Sequence, residues 1–167
     1  MAACEAIEAF VSRGLTLATC ESLTGGLVCA TLTSVAGSSA VVRGGLVTYA
    51  TDLKTTLAGV DAGLIEIFGV VSAQVARAMA SGVRAVCGAD VGLGVTGVAG
   101  PGPQWGVPAG TVWLGLADSS HSWARLLTLN GDRQYVRQGV VVAALAALTD
   151  VARAGHPSEK EWSGQVD

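Results

Sequence analysis

The sequence predicts a three-layer α/β/α domain around a mixed, mostly parallel five-stranded sheet whose fourth strand is antiparallel. Three observations predict it. Strand-length apolar runs alternate with helix-length amphipathic runs as far as Val95, a βαβ series in which right-handed crossovers make the first three strands parallel. The links after the third strand hold no helix-length segment, so the chain reverses twice, leaving the fourth strand antiparallel and returning the fifth to the common direction. Half of the residues are hydrophobic and only 14% are charged, enough apolar surface to cover both faces of a sheet. At 167 residues the chain fits one domain, 1–154, with a polar tail, 155–167, expected to be disordered.

The elements follow in order. Residues 2–13 read as a helix with Ile7, Phe10 and Val11 on one face and Gly14 as its stop. Residues 15–20 form a short apolar strand. Glu21-Ser22-Leu23-Thr24-Gly25-Gly26 then turns into a helix running to about Thr33. A strand, a Ser/Thr/Gly turn and a helix N-terminus offer free N–H groups to an anion. The same residues read equally well as a Thr24 cap with glycines for close packing. Residues 41–49 are a strand, 52–57 a helical turn carrying Lys54, and 60–68 a short helix ended by Gly69. Ser72 caps a helix in which Val75, Ala76, Met79, Val83 and Val86 recur at helical spacing as far as Gly88. Residues 89–95 are apolar enough for a central strand buried on both faces. That strand ends in a Gly/Pro-rich loop from Thr96 to Pro103. Residues 110–117 and 122–129 are the last two strands, and Gly131-Asp132-Arg133 opens a long helix to about Arg153.

Composition excludes several functions. A net charge of −3 and a pI near 5.3 give no basic field for nucleic acid. Cys4, Cys20, Cys29 and Cys87 show no C-x-x-C and no ligand-like spacing to His121 or His156, so they read as reduced core residues and no metal site is expected. The N-terminus has no basic, apolar signal pattern. The longest strongly apolar run, 139–148, is shorter than the ~20 residues that cross a bilayer. A soluble cytoplasmic protein without a membrane partner is expected.

The chemistry-bearing stretch is Ala36-Gly37-Ser38-Ser39-Ala40, with Tyr49 ten residues after Ser39 and Lys54 five after that. A serine hydroxyl is a poor nucleophile until a base takes its proton. The two histidines lie in a late hairpin and in the tail, which leaves lysine, whose pKa falls on burial. Taken alone, the stretch reads more simply as a turn beside a surface cation, because Gly and Ser dominate turns. The wider pattern favours a site: the 22–26 turn, Tyr49 and the 96–102 loop all fall at carboxyl ends of strands expected to be parallel, where ligands of open α/β sheets bind.

Glu-Ser-Leu-Thr-Gly-Gly, Ala-Gly-Ser-Ser-Ala, Val-Thr-Tyr with Lys five residues on, Val-Ser, Thr-Gly-Val-Ala-Gly-Pro, Gly-Thr-Val-Trp and Gly-Asp-Arg occur in that order. Over about residues 5–153 this resembles the C-terminal domain family of the competence/damage-inducible protein CinA, the nicotinamide-nucleotide amidohydrolases. It looks like the stand-alone form, without the molybdopterin-binding-like domain that some members carry. The resemblance implies cofactor-free, metal-independent hydrolysis of the carboxamide of nicotinamide mononucleotide (NMN) to nicotinic acid mononucleotide and ammonia. Carried over by residue, it makes Ser39 the nucleophile, Lys54 the general base and Tyr49 their assistant. Ser22, Thr24, Thr96 and Gly97 then surround the substrate, and backbone N–H groups near Ser39 or at Gly25 and Gly26 hold the oxyanion. Arg133 takes the 5′-phosphate, for which its planar fork is suited.

The sequence departs from the family's pattern twice. Leu23 stands where the family usually has Cys, a position that packs rather than reacts. The loop 102–108 lacks the family's lysine and carries Trp105, which stacks on a pyridine or ribose or seals the loop against a neighbouring subunit, the second being favoured. The expected partners are a small-molecule nucleotide and further copies of the chain in a homo-oligomer, with the all-round apolar 140–148 as a subunit face. The alternative to an enzyme is a non-catalytic pyridine-nucleotide-binding module acting through a protein partner, motivated by the 102–108 loop.

Overall fold

The structure is a computed structural model that describes residues 1–157 and 162–166. β1 (Leu17–Glu21) is central, paired in parallel with β2 (Val42–Val47) on one side and β3 (Val91–Gly97) on the other. β4 (Thr111–Ala117) is antiparallel to β3, and β5 (His121–Thr128) is antiparallel to β4. β1, β2, β3 and β5 therefore point one way and β4 the other, as the short links after β3 require. One strand was not expected. β6 (Ser163–Val166) adds antiparallel to the open edge of β5, completing the order β2-β1-β3-β4-β5-β6. Over these four residues the expectation of a disordered tail is corrected: the edge of β5 offers unpaired N–H and C=O groups that an extended segment satisfies. Residues 158–161 and 167 of that tail lie outside the described residues.

The period of two along β1 sorts the layers. Leu17 faces a core shared with Ile7 and Phe10 of α1 (Ala2–Arg13), Val28 and Leu32 of α2 (Leu27–Thr33), and Val140 and Leu148 of α6 (Arg133–Ala154). Ala18 and Cys20 face the other core, with Val75, Met79 and Val83 of α5 (Ala73–Cys87), backed by α3 (Thr51–Ala58) and α4 (Ala62–Phe68). α5 lies directly on the sheet because Gly92, Gly94 and Gly115 have no side chain there. A Cβ at these positions would come within 2.0, 2.3 and 2.1 Å of α5 carbonyl oxygens. α6 is long and apolar enough to cross a membrane by length and composition, but 56% of its apolar window is buried within the domain, as in a core helix. Of the 140–148 segment expected as a subunit face, Val140, Val141, Ala144, Leu145, Ala147 and Leu148 are buried in the chain's own core, and Val142 is exposed.

Candidate functional site

Because β1, β2 and β3 are parallel, the turn after β1, the segment after β2 and the loop after β3 open on one rim. A cavity of about 240 Å³ lies there, lined among others by Ser22, Leu23, Tyr49, Thr96, Gly97, Trp105 and Arg133.

Lys54 of α3 lies behind its wall, against Ser22. Its side chain is 0% exposed, and its Nζ donates to the Thr48 carbonyl at 2.7 Å and contacts Ser22 Oγ at 3.2 Å. Neither partner carries charge. Burial therefore pushes the Lys54 pKa below the ordinary lysine value, against the smaller opposing effect of the nearby Cys20. The Cys20 thiol is itself pushed up to about 11, chiefly by burial, and so supplies no anion at neutral pH. A neutral Lys54 keeps its N–H bond to Thr48 and turns its lone pair to the Ser22 hydroxyl, which then donates. In that state the pair has the chemistry of a base in contact with a nucleophile.

The turn that carries Ser22 is held from two sides. Glu21 is fully buried at the end of β1, and its carboxylate accepts from the backbone N–H groups of Gly26 (3.1 Å), Val28 (3.0 Å) and Cys29 (2.8 Å), and from the Thr19 hydroxyl (3.2 Å). The start of α2, read from sequence as an anion site for substrate, is thus occupied by the chain's own carboxylate. An acidic group at a helix N-terminus satisfies both the dipole and the orphan donors. From the other side, Arg137 of α6 donates through Nε to Leu23 O (3.1 Å) and through Nη2 to Thr24 O (2.9 Å). Gly25 and Gly26 turn the chain with φ of 62° and 94°. The backbone N–H groups of Leu23 and Thr24 have no acceptor among the described residues, unlike those of Ser22, Gly25 and Gly26. Of the two, Leu23 lines the cavity beside Ser22 and Thr24 does not.

Tyr49 and Arg133 form another part of the wall. Arg133 donates to the Tyr49 hydroxyl (2.9 Å) and to Gly100 O (3.0 Å), and both side chains are exposed. Tyr49 therefore pairs with the expected phosphate ligand rather than with the base. Thr96 is tied down by donating to Val70 O at 2.8 Å.

Of the residues expected from sequence, Ser22, Tyr49, Thr96, Gly97 and Arg133 line the cavity, and Lys54 touches Ser22. Thr24, Gly25 and Gly26 do not line it: they shape the turn, and the fully buried Thr24 hydroxyl has no partner among the described residues. Ser39 stands apart from this group within the chain. It is exposed, in the 3-10 turn Ser38–Ala40 that precedes β2, whereas Lys54 lies beyond the end of β2. Six strand residues put about 20 Å between the two rims. Within one chain Lys54 meets Ser22 and not Ser39. Leu23 is buried and packs into the main core, as its reading as a packing residue requires. Sequence reasoning missed Glu21 as the helix cap, Gln104 in the wall and Arg137 as the clamp. Arg137 carried a signal, lying four residues after Arg133 and so on the same helix face.

The comparisons with known proteins agree with this architecture. The family described as CinA C-terminal domain matches residues 2–152. A "CinA-like protein" of Frankia casuarinae is 50% identical over 135 residues, covering 81% of this chain and 31% of the relative. A "putative competence-damage inducible protein" of Limosilactobacillus fermentum is 55% identical over 128 residues, covering 75% and 31%. The chain thus spans about a third of the length of these curated relatives. Among solved structures, the competence damage-inducible protein A of Klebsiella pneumoniae superposes with a TM-score of 0.87 at 34% identity, covering 89% of this chain and 93% of that one. A competence/damage inducible protein of Agrobacterium tumefaciens gives 0.82 at 37% identity, covering 86% and 89%.

Proposed function

The chain belongs to the CinA C-terminal domain family, and from that premise we propose that it is a serine amidase that hydrolyses the carboxamide of NMN to nicotinic acid mononucleotide and ammonia. The observation that carries this reading is the fully buried Lys54 amine in contact with the Ser22 hydroxyl at the cavity. Ser22 Oγ gives its proton to Lys54 Nζ and bonds to the carboxamide carbon. The resulting oxyanion is held by the N–H group of Leu23, which lines the cavity. Lys54 returns the proton to the amide nitrogen, the C–N bond breaks, and ammonia leaves an ester on Ser22. Water then gives a proton to Lys54 and attacks that ester. Ser22 Oγ departs, recovers its proton and releases the carboxylic acid. Arg133 pairs with the phosphate and orients the ring toward Ser22. The same reading assigns the chain to pyridine-nucleotide salvage in the cytoplasm, as a homo-oligomer.

The test is incubation of the purified, folded protein with NMN, with ammonia measured by a coupled assay and the product by mass spectrometry. Equimolar ammonia and nicotinic acid mononucleotide are expected. Binding of NMN without either product would leave a nucleotide-binding module in place of the enzyme.

A further inference from the structure

We infer that Trp105 is the aromatic platform of this cavity, stacking its indole on a planar, electron-poor ring, specifically an N-substituted pyridinium. Trp105 and Gly106 form the two-residue tip of a small hairpin closed by Gln104 N–H to Val107 O (3.1 Å) and Val107 N–H to Gln104 O (2.8 Å). Both tip residues have positive φ, 51° and 76°. Such a tip favours Asn or Asp followed by Gly, and Trp105 is the one non-glycine with positive φ among the described residues. The strained position therefore carries the residue least suited to it by backbone conformation. That residue is gaining something other than turn geometry. It is not gaining core packing: the side chain is 65% exposed and joins neither hydrophobic cluster, although it lines the cavity.

The rest of the lining says which ring suits the platform. Among the described residues no Asp or Glu lines the cavity, so a cationic ring finds its favourable field in the π-face of the indole. Arg133 lines the same cavity and asks for an anion on the same molecule. A zwitterion with a pyridinium at one end and a phosphate at the other satisfies both walls. Free nicotinamide satisfies neither. This inference rests on the amidase reading for the orientation of the ring toward Ser22, but stacking is measured separately from turnover.

The experiment titrates NMN, ribose 5-phosphate and nicotinamide into the wild type, Trp105→Phe and Trp105→Gly, reading intrinsic fluorescence, ammonia release and sedimentation. Glycine tolerates the positive φ, so Trp105→Gly keeps the hairpin. NMN is expected to quench the wild type saturably and ribose 5-phosphate is not, with the NMN quench lost in Trp105→Phe. Trp105→Gly is expected to raise KM for NMN roughly 5- to 100-fold, the span of one base–aromatic stack, with kcat changed far less, and Trp105→Phe to recover most of the KM. An unchanged KM in Trp105→Gly, or a quench that survives in Trp105→Phe, overturns the platform. A fall in oligomer size that accompanies the KM change also overturns it and assigns Trp105 to a subunit contact. Quenching without turnover in the wild type keeps the platform and removes the amidase. Turnover with an unaltered KM in Trp105→Gly does the reverse.

Discussion

Two glycine-serine turns flank the edge of this sheet, and they have opposite fates. The turn after β1 is buried. Glu21 and Arg137 hold its backbone, and its Ser22 meets a fully buried amine. The turn before β2 is looser: Ser39 is exposed, and the side chain of the buried Ser38 makes only a 3.4 Å contact with Thr33 O. In composition the two are alike, and the second has the more suggestive pair of serines. Strand direction separates them. In parallel strands the turn that leaves β1 and the turn that enters β2 lie on opposite rims, and only the carboxyl rim gathers Lys54, Tyr49 and the β3 loop. A motif's residue types say what chemistry it can do, and its side of the strand says whether it meets a partner.

The largest expected effect breaks that comparison directly. Ser22→Ala should lower kcat by roughly 10⁴- to 10⁶-fold, because removal of a nucleophile abolishes the covalent route as a unit, while substrate still binds through the remaining wall. Ser39→Ala should leave kcat within about threefold, as a surface substitution away from the cavity does. Steady-state ammonia release from both variants, with circular dichroism to confirm folding, checks the pair. The inverse result, an inactive Ser39→Ala beside an active Ser22→Ala, would move the nucleophile to the other turn and require a second chain to bring it to Lys54.

Lys54 provides the next step down. Lys54→Met removes the base but keeps the length and apolar stem, and should cost about 10²- to 10⁴-fold in kcat, the range of general base catalysis. In the wild type, activity should rise with pH to a plateau whose midpoint lies below the ordinary lysine value of ~10.4, since burial lowers the Lys54 pKa. Stability follows the same sign. The unfolded chain holds the Lys54 proton to higher pH than the folded one, so the wild type gains stability as pH climbs from the lowered folded value toward ~10.4. Urea melts across that window should show the gain in the wild type and not in Lys54→Met. Equal slopes would mean that Lys54 remains charged in the folded state.

Much of this was legible in the chain. The 3.6-residue spacing of Val75, Met79 and Val83 and the Ser72 cap marked α5 to within a residue of its ends, because local periodicity and capping decide such a helix. The burial of Lys54 was not legible from its own stretch, which reads more simply as a turn beside a surface cation; only the family resemblance singled the lysine out. The pairing of Lys54 with Ser22 across 32 positions was not legible either, because it depends on α3 folding back over the end of β1. β6 escaped notice for a similar reason: its residues carry no apolar alternation and owe their strand to the open edge of β5. Glu21 was read only as the residue before Ser22. Its buried side chain became meaningful once β1 aimed it at the start of α2.

Glu21 also provides the smallest effect, on stability rather than chemistry. Its two oxygens accept three backbone N–H groups and one hydroxyl. In Glu21→Gln one oxygen becomes an NH₂ that faces donors, so at least one buried N–H at the start of α2 loses its acceptor. The cost should be about 2 kcal/mol, the range for a charge-assisted bond exchanged for an unsatisfied donor. For a chain of this length that lowers the melting temperature by roughly 4–8 °C. Ser38 is buried, but Ser38→Ala breaks only one long 3.4 Å contact and should cost less, about 1 kcal/mol or under. Parallel thermal melts of the two variants compare the turns without reference to any substrate. Should Glu21→Gln melt with the wild type, the buried turn owes its shape to Arg137 and the glycines, and the carboxylate at the head of α2 is a passenger.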